Sequence, residues 1–237
     1  MQALITVDQA ETIIRQHLTT AEVESVPLAE AQGRYLREDI LADRPLPPFD
    51  RVMMDGIAIS FDAYETGQTS FPIAATQAAG AAPIQLSDST SCIEVMTGCV
   101  LPNGCDCVIP VEVYDVLGNT ITLHADANPK RSQHIHTTGS DTSSGEVLLA
   151  SGQLLNAPEL TIAASCGATS LKVSSLPRIL IVSTGDELVA PEETPLTHQI
   201  RRSHATALHT IITGRQLGHV DAIHVSDQPD ELRSALH

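Results

Sequence analysis

Residues 45–60, PLPPFDRVMMDGIAIS, restrict the fold more than any other stretch of the chain. Pro45, Pro47 and Pro48 fix φ at three of four consecutive positions and push the residues before them toward extended backbone. This arm can therefore be neither helix nor inner strand. Phe49 gives it an apolar anchor. Asp55-Gly56 has the composition of a tight turn, and the alternating Ile57-Ala58-Ile59-Ser60 after it reads as a strand. Asp50 and Asp55 thus fall on a stiff exposed loop between ordered elements. Taken alone, both acids fit as turn residues.

Around the arm the chain changes grammar twice. On its N-terminal side, Thr6 with Gln9 three residues on spells a capping box. Ala10, Ile13, Ile14 and Leu18 then form one apolar stripe, so this helix needs a body to pack on that it does not itself contain. Residues 23–26 read as a short strand, and 28–32 as a helical turn that Gly33 ends. From 71 to 123 short strands alternate with turn residues; 71–77, 92–96 and 107–113 are the clearest, with a hairpin about Gly118-Asn119. A strand at 147–150 precedes a helix framed by Asn156 and Glu159 and ended by Cys166-Gly167, and a strand at 171–174 follows. Beyond Pro177 the pattern becomes strand, helix, strand, helix, an α/β arrangement. The apolar run 179–183 is expected to be buried on both faces, Ser203 to start a helix and Asp227 to cap the last one. The pattern stops with too few strands for a covered parallel sheet, so the chain reads as truncated within it.

The chain has 237 residues, 42% of them hydrophobic, with three Phe, three Tyr and no Trp, so its core must be built from Ile, Leu, Val and Ala. No apolar run approaches the ~18 residues that span a bilayer, and no basic-then-apolar leader opens the sequence. A cytoplasmic protein is expected. A net charge of −16 argues against nucleic acid or an anionic membrane as partner. An anionic ligand would have to meet local basic groups, and Lys130-Arg131 and Arg201-Arg202 are the candidates. The five cysteines form no C-x-x-C pair and fit reduced, buried thiols; Cys105-x-Cys107 reads as packed thiols before a metal pair.

Pro47-x-Phe49-Asp50-x-x-x-Met54-Asp55-Gly56-x-Ala58, Met96-Thr97-Gly98 and Ser183-Thr184-Gly185-Asp186-Glu187-Leu188 come in an order and spacing that carry a resemblance over nearly the whole chain. They are similar to the molybdopterin molybdenumtransferase family, which inserts molybdenum into molybdopterin and includes the gephyrin E domain. The fold this implies is α/β plus β and multi-domain. A β-rich insertion at 45–143 is set into a small linking α+β domain made of 19–44 and 144–176. An incomplete parallel α/β molybdopterin-binding domain follows, made of 1–18 and 177–237. The resemblance implies site positions at Asp55, Thr97, Asp141, Glu187 and Asp227, with Gly185, Asp186, His136 and Arg202 at the substrate. It implies Mg²⁺, the substrates molybdate and adenylylated molybdopterin, and a homodimer whose sites are shared between subunits. Physically, Asp186 and Glu187 follow the carboxyl end of an apolar strand, where open parallel sheets bind ligands, and offer oxygens suited to Mg²⁺. The same loop alone also fits a solvated turn with one acid capping an amide.

Several positions depart from the family pattern. His136-Thr137-Thr138 stands in place of an Arg-rich run, and Arg202 and His204 in place of the Asp and Asn of an Asp-x-Asn element. Arg51-Val52-Met53 replaces Asn-Ser-Ala, and Ile57 replaces Tyr. His134 and His136 fit two unpaired surface histidines better than a ligand pair. The retained acids favour an enzyme that inserts molybdenum. The lost guanidinium forks motivate the alternative, a non-catalytic molybdopterin-binding or scaffold paralogue that kept the fold.

Overall fold

Short apolar runs, three of them buried almost throughout, build the main sheet. The computed structural model describes residues 4–235. Strands Cys107–Pro110, Gly56–Ile59, Cys92–Val95, Ser70–Gln77, Thr120–Leu123 and Tyr114–Leu117 lie side by side in that order. All neighbours are antiparallel except Ser70–Gln77 and Cys92–Val95, which run parallel. Ile57, Ile59, Cys92, Cys107 and Ile109 join Phe61, Phe71, Ile121 and Leu123 in one buried cluster. The intervening Ala58, Ile93, Val95 and Val108 join Val52, Leu86, Cys99 and Cys105 in a second. Strands Cys107–Pro110, Gly56–Ile59 and Cys92–Val95 are thus covered on both faces, whereas Ser70–Gln77 and Thr120–Leu123 alternate between buried and more exposed positions and Tyr114–Leu117 is largely exposed. A register shift between Ile73 and Ala75 helps the sheet curl.

Gly56 serves this sheet in a way its sequence context did not suggest. It is the first residue of its strand, not part of a tight turn, and a Cβ there would lie 2.0 Å from the carbonyl oxygen of Ile109. Glycine is needed for the close approach of two strands.

The sheet belongs to one of two compact units, Ile40–Leu148; the other joins Met1–Asp39 to Leu149–His237. In the second unit, Val23–Pro27 pairs antiparallel with Ser170–Ser174, and Leu36, Leu155, Ala163, Leu171 and Val173 are buried. Helix Ala157–Ser165 starts with the Glu159 carboxylate accepting the Asn156 N–H at 2.9 Å. Arg178–Thr184 and His219–Val225 form a parallel pair, and helix His204–Gly214 connects them. Leu188–Val189 and Ile200–Arg201 make a second, shorter parallel pair. The chain is therefore mixed α/β with a curled β-sheet.

Two expectations need correction here. Within Arg178–Thr184 only Ile181 is buried and Leu180 is 45% exposed, so this strand is not covered on both faces. Helix Val7–His17 forms its capping box, with Gln9 N–H on Thr6 Oγ1 and Thr6 N–H on Gln9 Oε1, yet none of its residues is buried. Its stripe of Ile13, Ile14 and Leu18 remains exposed to solvent. Among the described residues no helix is long and apolar enough to cross a membrane.

Candidate functional site

The proline arm is held by backbone pairing to the segment that carries Asp141. Leu46 N–H donates to Thr142 O at 3.0 Å, Asp141 N–H to Leu46 O at 2.9 Å, and Gly139 N–H to Pro47 O at 3.0 Å. Gly139 has φ +71°, a conformation that favours glycine, which lets the segment turn back beside the arm. Farther along, Leu101 N–H donates to Asp50 O and Gly98 N–H to Val52 O, fixing the 96–101 loop against the same stretch.

Two acids of the arm then repeat one device. Asp55 Oδ1 accepts both the N–H and the hydroxyl of Thr97, each at 2.6 Å. Asp50 Oδ1 accepts both the N–H and the hydroxyl of Thr138, each at 2.8 Å. Each pair satisfies one carboxylate oxygen from a single threonine. The Thr97 hydroxyl and N–H hold the Asp55 carboxyl below its ordinary range, because both bonds favour the charged form. Asp55 and Thr97, far apart in sequence, are thereby brought into contact.

Arg51 and His136 face each other directly across the antiparallel pair Arg51–Val52 and Ile135–His136. Arg51 Nη2 lies 3.0 Å from His136 Nδ1, and His136 Nε2 lies 2.7 Å from Asp141 Oδ1. His136 is thus no unpaired surface histidine. His134, two residues earlier, takes φ +55°, as Ser132 takes +62°, so the segment before the site is bent at non-glycine residues.

The other unit carries the remaining acids. Gly185 has φ +136°, a conformation that favours glycine, in the loop after Arg178–Thr184, and the Glu187 carboxylate lies close against it. Asp227 N–H donates to Asp186 Oδ1 at 3.3 Å, joining the ends of the two parallel strands. Asp227 does not cap the last helix. Ser226 donates its N–H and hydroxyl to Glu231 ahead of helix Pro229–Ala235, and the Asp227 side chain makes no hydrogen bond among the described residues. A cavity of about 290 Å³ is lined by Ser183, Thr184, Arg202, Ser203 and His204, but not by Asp186, Glu187 or Asp227. Arg202 Nε is buried and unbonded. No group of three or more His, Cys, Asp or Glu converges on a metal position among the described residues.

Other candidates are accounted for by structure. Arg131 reaches Asp62, Glu65 and Asp106 and lies 4.9 Å over the Phe61 ring, so it is committed to protein acids rather than free for an anion. Burial pushes the thiols of Cys92, Cys105 and Cys107 up to about 12, which leaves them unreactive packing groups. Sequence reasoning missed Asp50, Arg51 and Thr138 as members of the 136–141 network. Asp50 was visible as a loop acid, but nothing local pointed to Thr138, which is 88 residues away.

Comparison with known proteins adds to this geometry. The family model described as MoeA N-terminal region (domain I and II) matches residues 5–167. The molybdopterin molybdenumtransferase of Synechocystis is 38% identical over 227 residues, covering 96% of this chain and 58% of that relative. Molybdopterin molybdenumtransferase 2 of Mycobacterium tuberculosis is 30% identical over 206 residues and is half covered, at 50%. The crystal structure of the molybdopterin biosynthesis moeA protein from Pyrococcus horikoshii OT3 superposes with a TM-score of 0.84 at 27% identity, covering 99% of this chain and 63% of that one. The chain therefore spans little more than half the length of the curated relatives it matches.

Proposed function

This chain belongs to the molybdopterin molybdenumtransferase (MoeA) family, and on that premise we propose that it serves molybdenum cofactor biosynthesis by inserting molybdenum from molybdate into adenylylated molybdopterin. The observation that supports this reading most is the Asp55–Thr97 pair. Two site positions 42 residues apart share a double hydrogen bond that leaves Asp55 ionised.

In this reading Asp55 and Asp141 act as fixed acceptors. The Thr97 proton is directed to Asp55, so the Thr97 oxygen offers lone pairs, and the free carboxylate oxygens suit N–H and O–H donors of the substrate. Carboxylates alone repel an oxyanion, so molybdate needs a cation beside it. Asp186, Glu187 and Asp227 offer only oxygen donors, and no three of them form a ready cage. Such a set fits Mg²⁺ held by one or two carboxylates together with substrate phosphates. When bound, the ion would supply charge neutralisation at the phosphoanhydride. Gly185 allows close approach of substrate to the loop, Asp186 ties that loop to Asp227, and Arg202 supplies a guanidinium to the neighbouring cavity.

We take Ile40–Leu148 to contain the β-rich insertion, and the other unit to contain the linking and molybdopterin-binding segments. We take the working form to be a cytoplasmic homodimer that completes each site from two subunits. Sedimentation of the intact protein tests that assembly.

The deciding experiment is Glu187→Ala in the intact protein. Molybdenum insertion should be abolished while Tm hardly moves, because an exposed loop acid adds little to folding. A much lower Tm with activity intact would make Glu187 a structural residue. Tight binding of adenylylated molybdopterin by the parent protein without turnover would favour the scaffold reading.

A further inference from the structure

We propose that Arg51 is a positioning residue for Asp141, acting through the imidazole of His136, which it holds in the neutral form with its proton on Nε2. This deepens the proposed function and rests on Asp141 belonging to the site. The argument begins with hydrogen-bond chemistry. A guanidinium can only donate, so the 3.0 Å contact from Arg51 Nη2 makes His136 Nδ1 the acceptor. The imidazole proton must then sit on Nε2, where it is donated to Asp141 Oδ1 at 2.7 Å. An imidazolium would turn an N–H toward the guanidinium, placing donor against donor and charge against like charge. The Arg51 contact therefore selects a neutral ring, and Asp141 gains an orienting hydrogen bond without being neutralised by an ion pair.

Three further observations mark this as a built arrangement. Arg51 and His136 are direct cross-strand partners, so the backbone sets the contact. Asp50, the residue before Arg51, grips Thr138 through both its N–H and its hydroxyl, so consecutive residues of the arm hold successive parts of the segment ending at Asp141. Acids outnumber Lys and Arg by 29 to 13 in this chain. Even so, Arg51 pairs with a neutral ring and makes no salt bridge to a carboxylate among the described residues. Asp141 likewise has no second side-chain partner among them.

The test is a double-mutant cycle in the intact protein, reading molybdenum insertion with molybdate varied. Arg51→Ala should lower kcat on the order of ten- to hundredfold with the KM for molybdate nearly unchanged, as expected for a misplaced group. Asp141→Asn should lower it at least as far, and the double variant should be no slower than Asp141→Asn alone. His136→Gln should lose far less turnover than His136→Leu, because its amide NH₂ can donate to Asp141 while its carbonyl accepts from Arg51. His136→Leu should lose as much as Arg51→Ala. These paired His136 variants decide the matter if Arg51→Ala does not fold. Parental turnover in Arg51→Ala, additive losses in the double variant, or equal damage from Gln and Leu at 136 would each overturn the proposal while leaving Asp141 in the site. Parental turnover in Asp141→Asn would overturn the underlying site assignment and this inference with it.

Discussion

At the scale of single residues, the site depends on which oxygen of each acid is already engaged. Asp55 Oδ1 takes both donors of Thr97. Its folded value therefore lies below its ordinary 3.8, so the pair's contribution is complete above that value and disappears as pH falls through the lower folded one. Titrating the Thr97 amide proton by NMR should give a midpoint under 3.8, and Thr97→Val should bring the Asp55 midpoint back up toward it. A midpoint at or above 3.8 in the parent would mean the bonds are not made. Gly56 provides a second residue-scale expectation. With Ile109 O only 2.0 Å from any added Cβ, Gly56→Ala must force Gly56–Ile59 away from its neighbour Cys107–Pro110. Its cost should be roughly 2–4 kcal/mol, read from urea denaturation.

At the scale of elements, the segment before His136 is shaped by one side chain. Arg131 reaches acids on helix Phe61–Glu65 and Asp106 just before strand Cys107–Pro110. Between Arg131 and His136, Ser132 and His134 sit at positive φ, an uncommon state for residues with a Cβ. Backbone bonds from Ser132 N–H to Asp106 O and from Val108 N–H to Gln133 O complete the attachment. Arg131→Ala should speed hydrogen exchange at the Ser132 and Val108 amides before it unfolds the sheet. Arg131→Lys should restore little of that protection, because an ammonium lacks the planar fork that serves several carboxylates at once. Unchanged exchange in Arg131→Ala would assign the bend to the backbone bonds alone.

At the scale of the whole molecule, burial is uneven. Gly56–Ile59 is buried at every position and Cys107–Pro110 at three of four. Arg178–Thr184 has one buried residue and His219–Val225 none. Amide exchange in these elements follows the contacts that must open. Mass-spectrometric hydrogen exchange should therefore find the six-stranded sheet the slowest region and the parallel pair much faster, in either order of addition of substrates.

Local physics was enough for a good part of this. The Thr6–Gln9 cap, the Gly118-Asn119 hairpin, the Cys166-Gly167 helix end and the alternating strands each depend on neighbours a few residues apart, and each is formed. The three motifs also placed the chain in its family, since order and spacing along the chain are properties of sequence alone. Longer-range facts were out of reach. Asp55-Gly56 looks like a turn until a second strand arrives from residue 109 to require glycine there, and Asp227 looks like a cap until Ser226 and Glu231 pair first. Arg51 and Thr138 stand out in the sequence only as departures from the family pattern, and His136 only as a substrate position with no partner in view. Only strand pairing 85 residues apart set Arg51 against His136 and left Asp141 held by a neutral imidazole, because hydrogen-bond partners are chosen by distance in space, which no spacing along the chain encodes.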